Sequence, residues 1–184
     1  MSTTPQATAV STWNIDPVHS IAEFRVRHLM ISSVRGQFTG VAGQLTYNES
    51  NPTQSRVEAT IDVSTLNTHE AQRDAHLKSP DFFDVEKYPT FTFKSSHVTR
   101  RADGTLAVAG QLSMHGSTKD VEFAVEGPTP PTKDPWGNTR IGVAATTKIH
   151  RKDFGLNWNA GLETGGVMIG EEVSITLELE FVKA

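Results

Sequence analysis

The chain has no cysteine among its 184 residues, which excludes disulfides, thiolate nucleophiles and zinc-thiolate centres. It has no basic cluster either. Its 17 Lys and Arg are interspersed with 21 Asp and Glu, for a net charge of -4, and such a mixture offers nothing to a phosphate backbone. Nucleic acid is therefore not an expected partner. No run approaches the roughly 18 apolar residues of a membrane span, so membrane insertion is not expected. The opening stretch MSTTPQATAVSTW holds neither a basic residue nor an apolar segment. It does not read as a secretory signal, and a cytoplasmic location is the expectation. Asn48-Glu49-Ser50 matches a glycosylation acceptor, but without secretion the match has no meaning.

Catalytic and metal motifs are missing as well. The seven histidines include no H-x-x-x-H or H-x-H pair, and His69 and His76 stand seven apart, so no two imidazoles are spaced for one ion. GQLSMHGSTK at 110–119 fails as a phosphate loop, because strand-like residues fill its spacer and Ser117-Thr118 precede Lys119. No G-x-S-x-G elbow occurs. Asp81, Asp84 and Glu86, and the pair Glu171-Glu172, read as solvated faces rather than as catalytic carboxylates. No catalytic residue, metal or cofactor is expected.

What the chain does have is alternation. Val57, Ala59, Ile61 and Val63 fall on one face of a two-residue repeat, as do Val173, Ile175, Leu177, Leu179 and Phe181. The same period recurs at 91–93, in 106–114 and in 121–125, with further strands expected at 20–27, 36–47 and 141–149. About eight antiparallel strands fit a sandwich or barrel. Asp103-Gly104 and His115-Gly116 mark hairpin turns, so the strands from 91 to 125 read as a meander. The segment 127–138, with four prolines, cannot sit inside a sheet and is expected as a long connection. A flexible segment at 1–12 and a single domain at 13–184 are the expected organisation.

Helix is expected only at 69–78, where Glu70 follows Asn67 by three residues as in a capping box and Lys78-Ser79-Pro80 ends the run. HLMISSV at 28–34 reads as a possible helical turn closing one end of a sheet. Aromatics concentrate next to the helix: Phe82, Phe83, Tyr88, Phe91 and Phe93 lie within 78–96. They either fill a core or line a space kept for a ligand. His28 and Arg73 sit near aromatics, where a basic group suits an anionic or polar head group and equally suits a structural contact.

Five stretches in order carry a resemblance: IDPVHSIAEFRVRH (15–28), GQF (36–38), RDAHLKSPDFFDVEKYPTFTFKS (73–95), GQLSMHGSTKDV (110–121) and RKDFGLNW (151–158). Together they resemble the YceI-like family of lipid- and isoprenoid-binding proteins over residues 13–183. Trp13 lacks the preceding glycine of the lipocalin G-x-W signature, so the likeness is not to lipocalins proper. The resemblance implies an all-β fold, an eight-stranded antiparallel lipocalin-like barrel with one or two short helices. It also implies a long apolar ligand, such as a polyisoprenoid, an isoprenoid quinone or a fatty-acid derivative. The family's motif positions fall on His19, Phe24, His28, Arg73, Leu77, Phe82, Phe83, Phe91, Phe93, Phe154 and Trp158. The expected ligand-binding set is these residues without His19, which reads with Asp16 as structural, and with Phe38 added. The aromatics are expected along the channel and His28 and Arg73 at its mouth. A homodimer is expected from family habit alone.

Strands of eight to ten residues rising about 3.3 Å each give a channel of roughly 25 to 30 Å, suited to an extended chain. Two other readings stay open: an enzyme for a small hydrophobic substrate using His28, Arg73 or His76, and a side-chain-filled β domain acting through its surface.

Overall fold

The computed structural model describes residues 9–184. Twelve elements follow in order: β1 (Val10–Ile15), β2 (Ile21–His28), β3 (Ser32–Phe38), β4 (Val41–Asn48), β5 (Arg56–Asp62), α1 (Ala71–Lys78), β6 (Thr90–Arg100), β7 (Leu106–Met114), β8 (Ser117–Glu126), the two-residue β9 (Thr132–Lys133), β10 (Thr139–His150) and β11 (Ile169–Lys183). Running β11-β1-β4-β5-β6-β7-β8-β10, the antiparallel ladder closes where β10 pairs with β11 from His150↔Glu172 to Arg140↔Val182. Eight strands thus form a closed barrel, which leaves no open edge in the ring.

The alternating apolar residues point inward. Val173, Ile175, Leu177, Leu179 and Phe181 on β11 face Ile141, Val143, Ala145 and Ile149 on β10 in one interior. On β6 the phase shifts once. A register irregularity between Ser95 and His97 turns the inward set from Phe91 and Phe93 to Val98, which is how one strand follows the curvature of the wall.

β1 and β2 are two segments of one ribbon along β11. Trp13 to Ile15 pair with 181–183, and Ile21 to His28 pair with 169–178. Pro17 lacks the N–H needed to continue the ladder, and the Asp16 carboxylate accepts Val18 N at 3.0 Å to hold a single 3-10 turn between them. β2 and β3 then form a hairpin whose outer edge, among the described residues, makes one isolated bridge, Gln37 with Asn67. At that end the wall is completed by residues 63–89, including α1, which links β5 to β6. We call this the α1 end; the four-proline segment at 127–138 joins β8 to β10 at the other.

Four local expectations change. Residues 28–34 are not a helical turn but a tight hairpin, with Leu29 and Met30 at φ 51 and 61 and Ile31 N donating to His28 O at 3.2 Å. The single strand at 36–47 is two, broken at Thr39-Gly40, where Gly40 N donates to Thr65 Oγ1 and its carbonyl accepts Asp62 N. Residues 10–12 belong to β1, so they are not a flexible leader; residues 1–8 of that segment lie outside the described residues. Finally, Glu70 is the cap of α1 itself, accepting Gln72 N and Arg73 N, whereas Asn67 Oδ1 takes His69 N at 2.7 Å.

No described helix is long and apolar enough to cross a membrane. Among the described residues no buried side-chain nitrogen or oxygen lacks a partner.

Candidate functional site

Side chains do not fill the barrel. A cavity of about 380 Å³ runs through it, from Arg73, His76, Leu77, Phe82 and Trp158 at the α1 end to Tyr47, Val98, Leu106, Val125 and Pro128 at the other. That is within the size range of small-molecule sites. The wall between is aliphatic and aromatic, and small residues such as Ala59 and Ala145 keep part of the interior open.

Three aromatic groups shape it. Phe38 is the hub of the first, with ring centroids 5.8 Å from Phe24, 6.0 Å from Phe83 and 5.4 Å from Phe91. Phe83 and Phe91 close that group at 5.4 Å. Gly36 makes room for it, since a Cβ there would stand 2.3 Å from the Phe24 ring. The second group joins His76, Phe82 and Trp158, with centroids 4.8 to 5.3 Å apart. Phe93 forms the third with Phe123, edge-on at 5.2 Å. Such tilted and edge-to-face pairs are the favoured aromatic geometries. The consecutive Phe82 and Phe83 therefore serve different groups, because the turn after α1 aims one at Trp158 and the other at Phe38.

Of the expected ligand-binding residues, Phe24, His28, Phe38, Arg73, Leu77, Phe82, Phe83, Phe91, Phe93 and Trp158 all border this cavity. Phe154 does not. It is 1% exposed inside the packed core, and its carbonyl accepts His115 Nδ1 at 3.0 Å. The 3-10 turn Arg151–Phe154 ends at Gly155 with φ 74, and the reversal seals Phe154 into the packing. It is a structural residue. His19 also stays outside the cavity, its Nδ1 2.9 Å from Asp16 Oδ2.

Among the described residues, the titratable groups bordering the cavity are almost all basic: His28, Arg56, Arg73, His76 and Arg151, with Tyr47. Arg27 and the single carboxylate, Glu23, border it from β2 positions that alternate with the inward Phe24, Val26 and His28, so their side chains are exposed on the outer face. Arg73 is held by Thr68, donating from Nε to Oγ1 and from Nη2 to the carbonyl, both at 2.8 Å. Thr68 in turn bonds Asp74 through its N–H and hydroxyl. His76 Nε2 lies 2.9 Å from Asp81 Oδ2 on the outer side of the rim.

Arg151, which the sequence reading passed over, is 4% exposed. It donates to the carbonyls of Gly170, Leu156 and Trp158 at 2.6 to 2.9 Å. Burial pulls its pKa below the ordinary arginine value, with Glu171 opposing the shift. No hydrogen bond joins two of the titratable groups that border the cavity, among the described residues.

Asp16, His19 and Glu180 lie close enough together to hold a metal. A cation already sits among them: Arg140 Nη1 donates to both Asp16 and Glu180 at 2.6 Å, and its Nε to Asp134 at 2.7 Å. This cluster ties the β1–β2 kink, β11 and the 127–138 segment together on the outside of the barrel.

The YceI-like domain model matches residues 13–181. The chain belongs to the YceI-like family. Among curated relatives, a UPF0312 protein of Vibrio cholerae is 39% identical over 142 residues, spanning 75% of this chain and 72% of its own. One from Photorhabdus laumondii is 36% identical over 169 residues, spanning 90% and 82%. A solved YceI protein of Campylobacter jejuni is 26% identical with a TM-score of 0.70, covering 86% of this chain and 90% of that one. Burkholderia cenocepacia BcnA, at 20% identity, superimposes with a TM-score of 0.74 over 90% of this chain and 98% of its own. A polyisoprenoid binding domain from Saccharophagus degradans, at 17% identity, does so at 0.67 over 95% and 99%. These last two show a shared fold, which is the eight-stranded antiparallel barrel expected from the resemblance.

Proposed function

We propose that this YceI-like protein is a non-catalytic carrier or store for one long apolar molecule, a polyisoprenoid, an isoprenoid quinone or a fatty-acid derivative. The chain lies extended along the barrel, and its polar end rests at the α1 end beside His28, Arg73, His76 and Arg151. The observation that carries this reading is the continuous apolar wall from the Phe24, Phe38, Phe83 and Phe91 group to Val98, Leu106 and Val125. The Saccharophagus degradans domain of the same fold, described as polyisoprenoid-binding, agrees with it. Arg73, His76 and Arg151 bond to backbone, to Thr68 or to the outward Asp81 rather than to one another, an arrangement suited to holding a polar head and not to passing a proton.

Chain length matters energetically. Each buried methylene contributes about 0.8 kcal/mol, so ten contribute about 8 kcal/mol. Association costs about 4 to 15 kcal/mol. Short tails should therefore bind poorly and long ones well. The test is titration of the purified protein with an isoprenoid quinone, read by quenching of Trp158 on the cavity wall. Saturable binding of one quinone per chain is expected, and Ala145→Phe, which places a ring in the cavity, should abolish it while the far-ultraviolet circular dichroism is unchanged. Absence of saturable binding by quinones and fatty acids alike would overturn the reading.

A further inference from the structure

The β2–β3 hairpin is built against the grain of the rest of the surface. Its outer face carries Arg25, Arg27 and Arg35, all exposed, against a single carboxylate, Glu23, in a chain whose net charge is -4. None of the three forms an ion pair among the described residues. Arg25 and Arg35 stand directly opposite each other across the ladder, a like-charge pairing that destabilises a sheet. The adjacent β11 acids do not relieve it, since Glu171 and Glu172 are taken by Lys152 and Lys148.

At the hairpin tip Met30 is 55% and Ile31 is 78% exposed. Leu29 and Met30 hold positive φ, where a bulky residue is strained and Asn or Gly would be at ease. Val167, 37% exposed, belongs to the neighbouring segment, and the two are joined where Leu29 N donates to Met168 O at 2.7 Å. His28, Val34, Met168 and Ile169 behind this tip line the cavity. The apolar tip thus overhangs the α1 end of the interior.

We propose that this hairpin docks the protein on a bilayer containing anionic lipids, with Met30, Ile31 and Val167 in the interface, the arginines on the lipid phosphates, and the cavity mouth facing the membrane. Apolar side chains flanked by cations are the combination an anionic bilayer surface retains. A molecule as apolar as the proposed cargo resides in membranes, so the docking takes its purpose from the carrier reading. Its test does not depend on cargo.

The full chain is sedimented with phosphatidylcholine vesicles, with and without phosphatidylglycerol, and uptake of an isoprenoid quinone from detergent is measured separately. Binding should rise with phosphatidylglycerol and fall with salt. At about fivefold per cation near an anionic surface, Arg25→Gln and Arg35→Gln together, neither of which borders the cavity, should weaken binding roughly 25-fold. Met30→Ser with Ile31→Ser should weaken it too, whereas Arg100→Gln at the other end should not. Uptake from detergent should be the same in all these variants. Because Arg25→Gln alone removes the like-charge pair without touching the core, it guards against a folding artefact and should weaken binding by itself. Absence of phosphatidylglycerol-dependent binding, or equal binding by the hairpin variants and wild type, overturns the docking proposal, including the case of a hairpin that meets an acidic protein. Vesicle binding without quinone uptake would instead overturn the carrier reading and leave the docking intact.

Discussion

Replacing Phe154 with alanine and, separately, Phe38 with alanine divides the side chains that hold the barrel together from those that face its contents. Phe154 is 1% exposed and borders no part of the cavity, so its removal opens a new void and should cost about 3 to 5 kcal/mol. In a domain of this size that lowers Tm by roughly 6 to 20 °C. Phe38 is also buried, but it borders a space that already exists. Its loss enlarges a cavity rather than creating one, so less new void is added to the cost of removing the ring. The stability cost should be the smaller of the two. Affinity for a long apolar chain should respond in the opposite order: a Phe38→Ala chain gives up contact worth about 1 to 2 kcal/mol, a loss of roughly five- to thirtyfold, while Phe154→Ala binds as wild type. Urea unfolding gives the first comparison, and quinone titration below the onset of unfolding gives the second. Equal weakening by the two variants at equal folded fraction would refute the division.

Two further outcomes follow from the charged groups. The Arg140 hydrogen bond, aided by His19, holds Asp16 at about 2. Asp134 is also lowered, because burial, which alone would raise it, is outweighed by hydrogen bonds from Arg140, Asn138 and backbone N–H groups. A depressed carboxylate stabilises the fold above its ordinary value near 3.8 and loses that stabilisation as pH falls towards 2. Arg140→Met should therefore flatten the stability profile between pH 5 and 2.5, and an unchanged acid slope would contradict the assignment. Arg151→Met strands the carbonyls of Leu156, Trp158 and Gly170, at about 1 to 3 kcal/mol for each that stays unsatisfied. Faster amide exchange confined to 156–170 is expected; unchanged exchange there would sink the account of Arg151 as the pin of this segment.

The barrel was legible wherever an inward face repeats every second residue over a full strand, as on β11 from Val173 to Phe181. It was less legible where the ladder rather than the residues defines the strand. β1 reads as polar, VSTWNI, and is specified by its pairing with β4 and β11. The break at Gly40 is fixed by contacts to Asp62 and Thr65, far off in sequence. The hairpin turn at Leu29-Met30 carries no turn residue at all, so nothing in HLMISSV distinguishes it from a helical turn. In the site, the phenylalanines of β6 and the turn after α1 were visible through their concentration and through the family motifs. Phe154 and Arg151 were not separable by pattern: an aromatic in a motif and a basic residue beside Lys152 give no sign of which is sealed in the core and which borders a cavity. That distinction depends on the reversal at Gly155.

A carrier of this kind holds an apolar chain in its interior. Organic-solvent extraction of the purified protein, followed by mass spectrometry of the extract, looks for that chain without any assumption about its identity. A long-chain isoprenoid or acyl compound approaching one per protein chain is expected, as is its loss from Ala145→Phe. An extract of the wild-type protein free of such compounds, from a protein that also fails to take them up when they are supplied, would contradict the carrier reading.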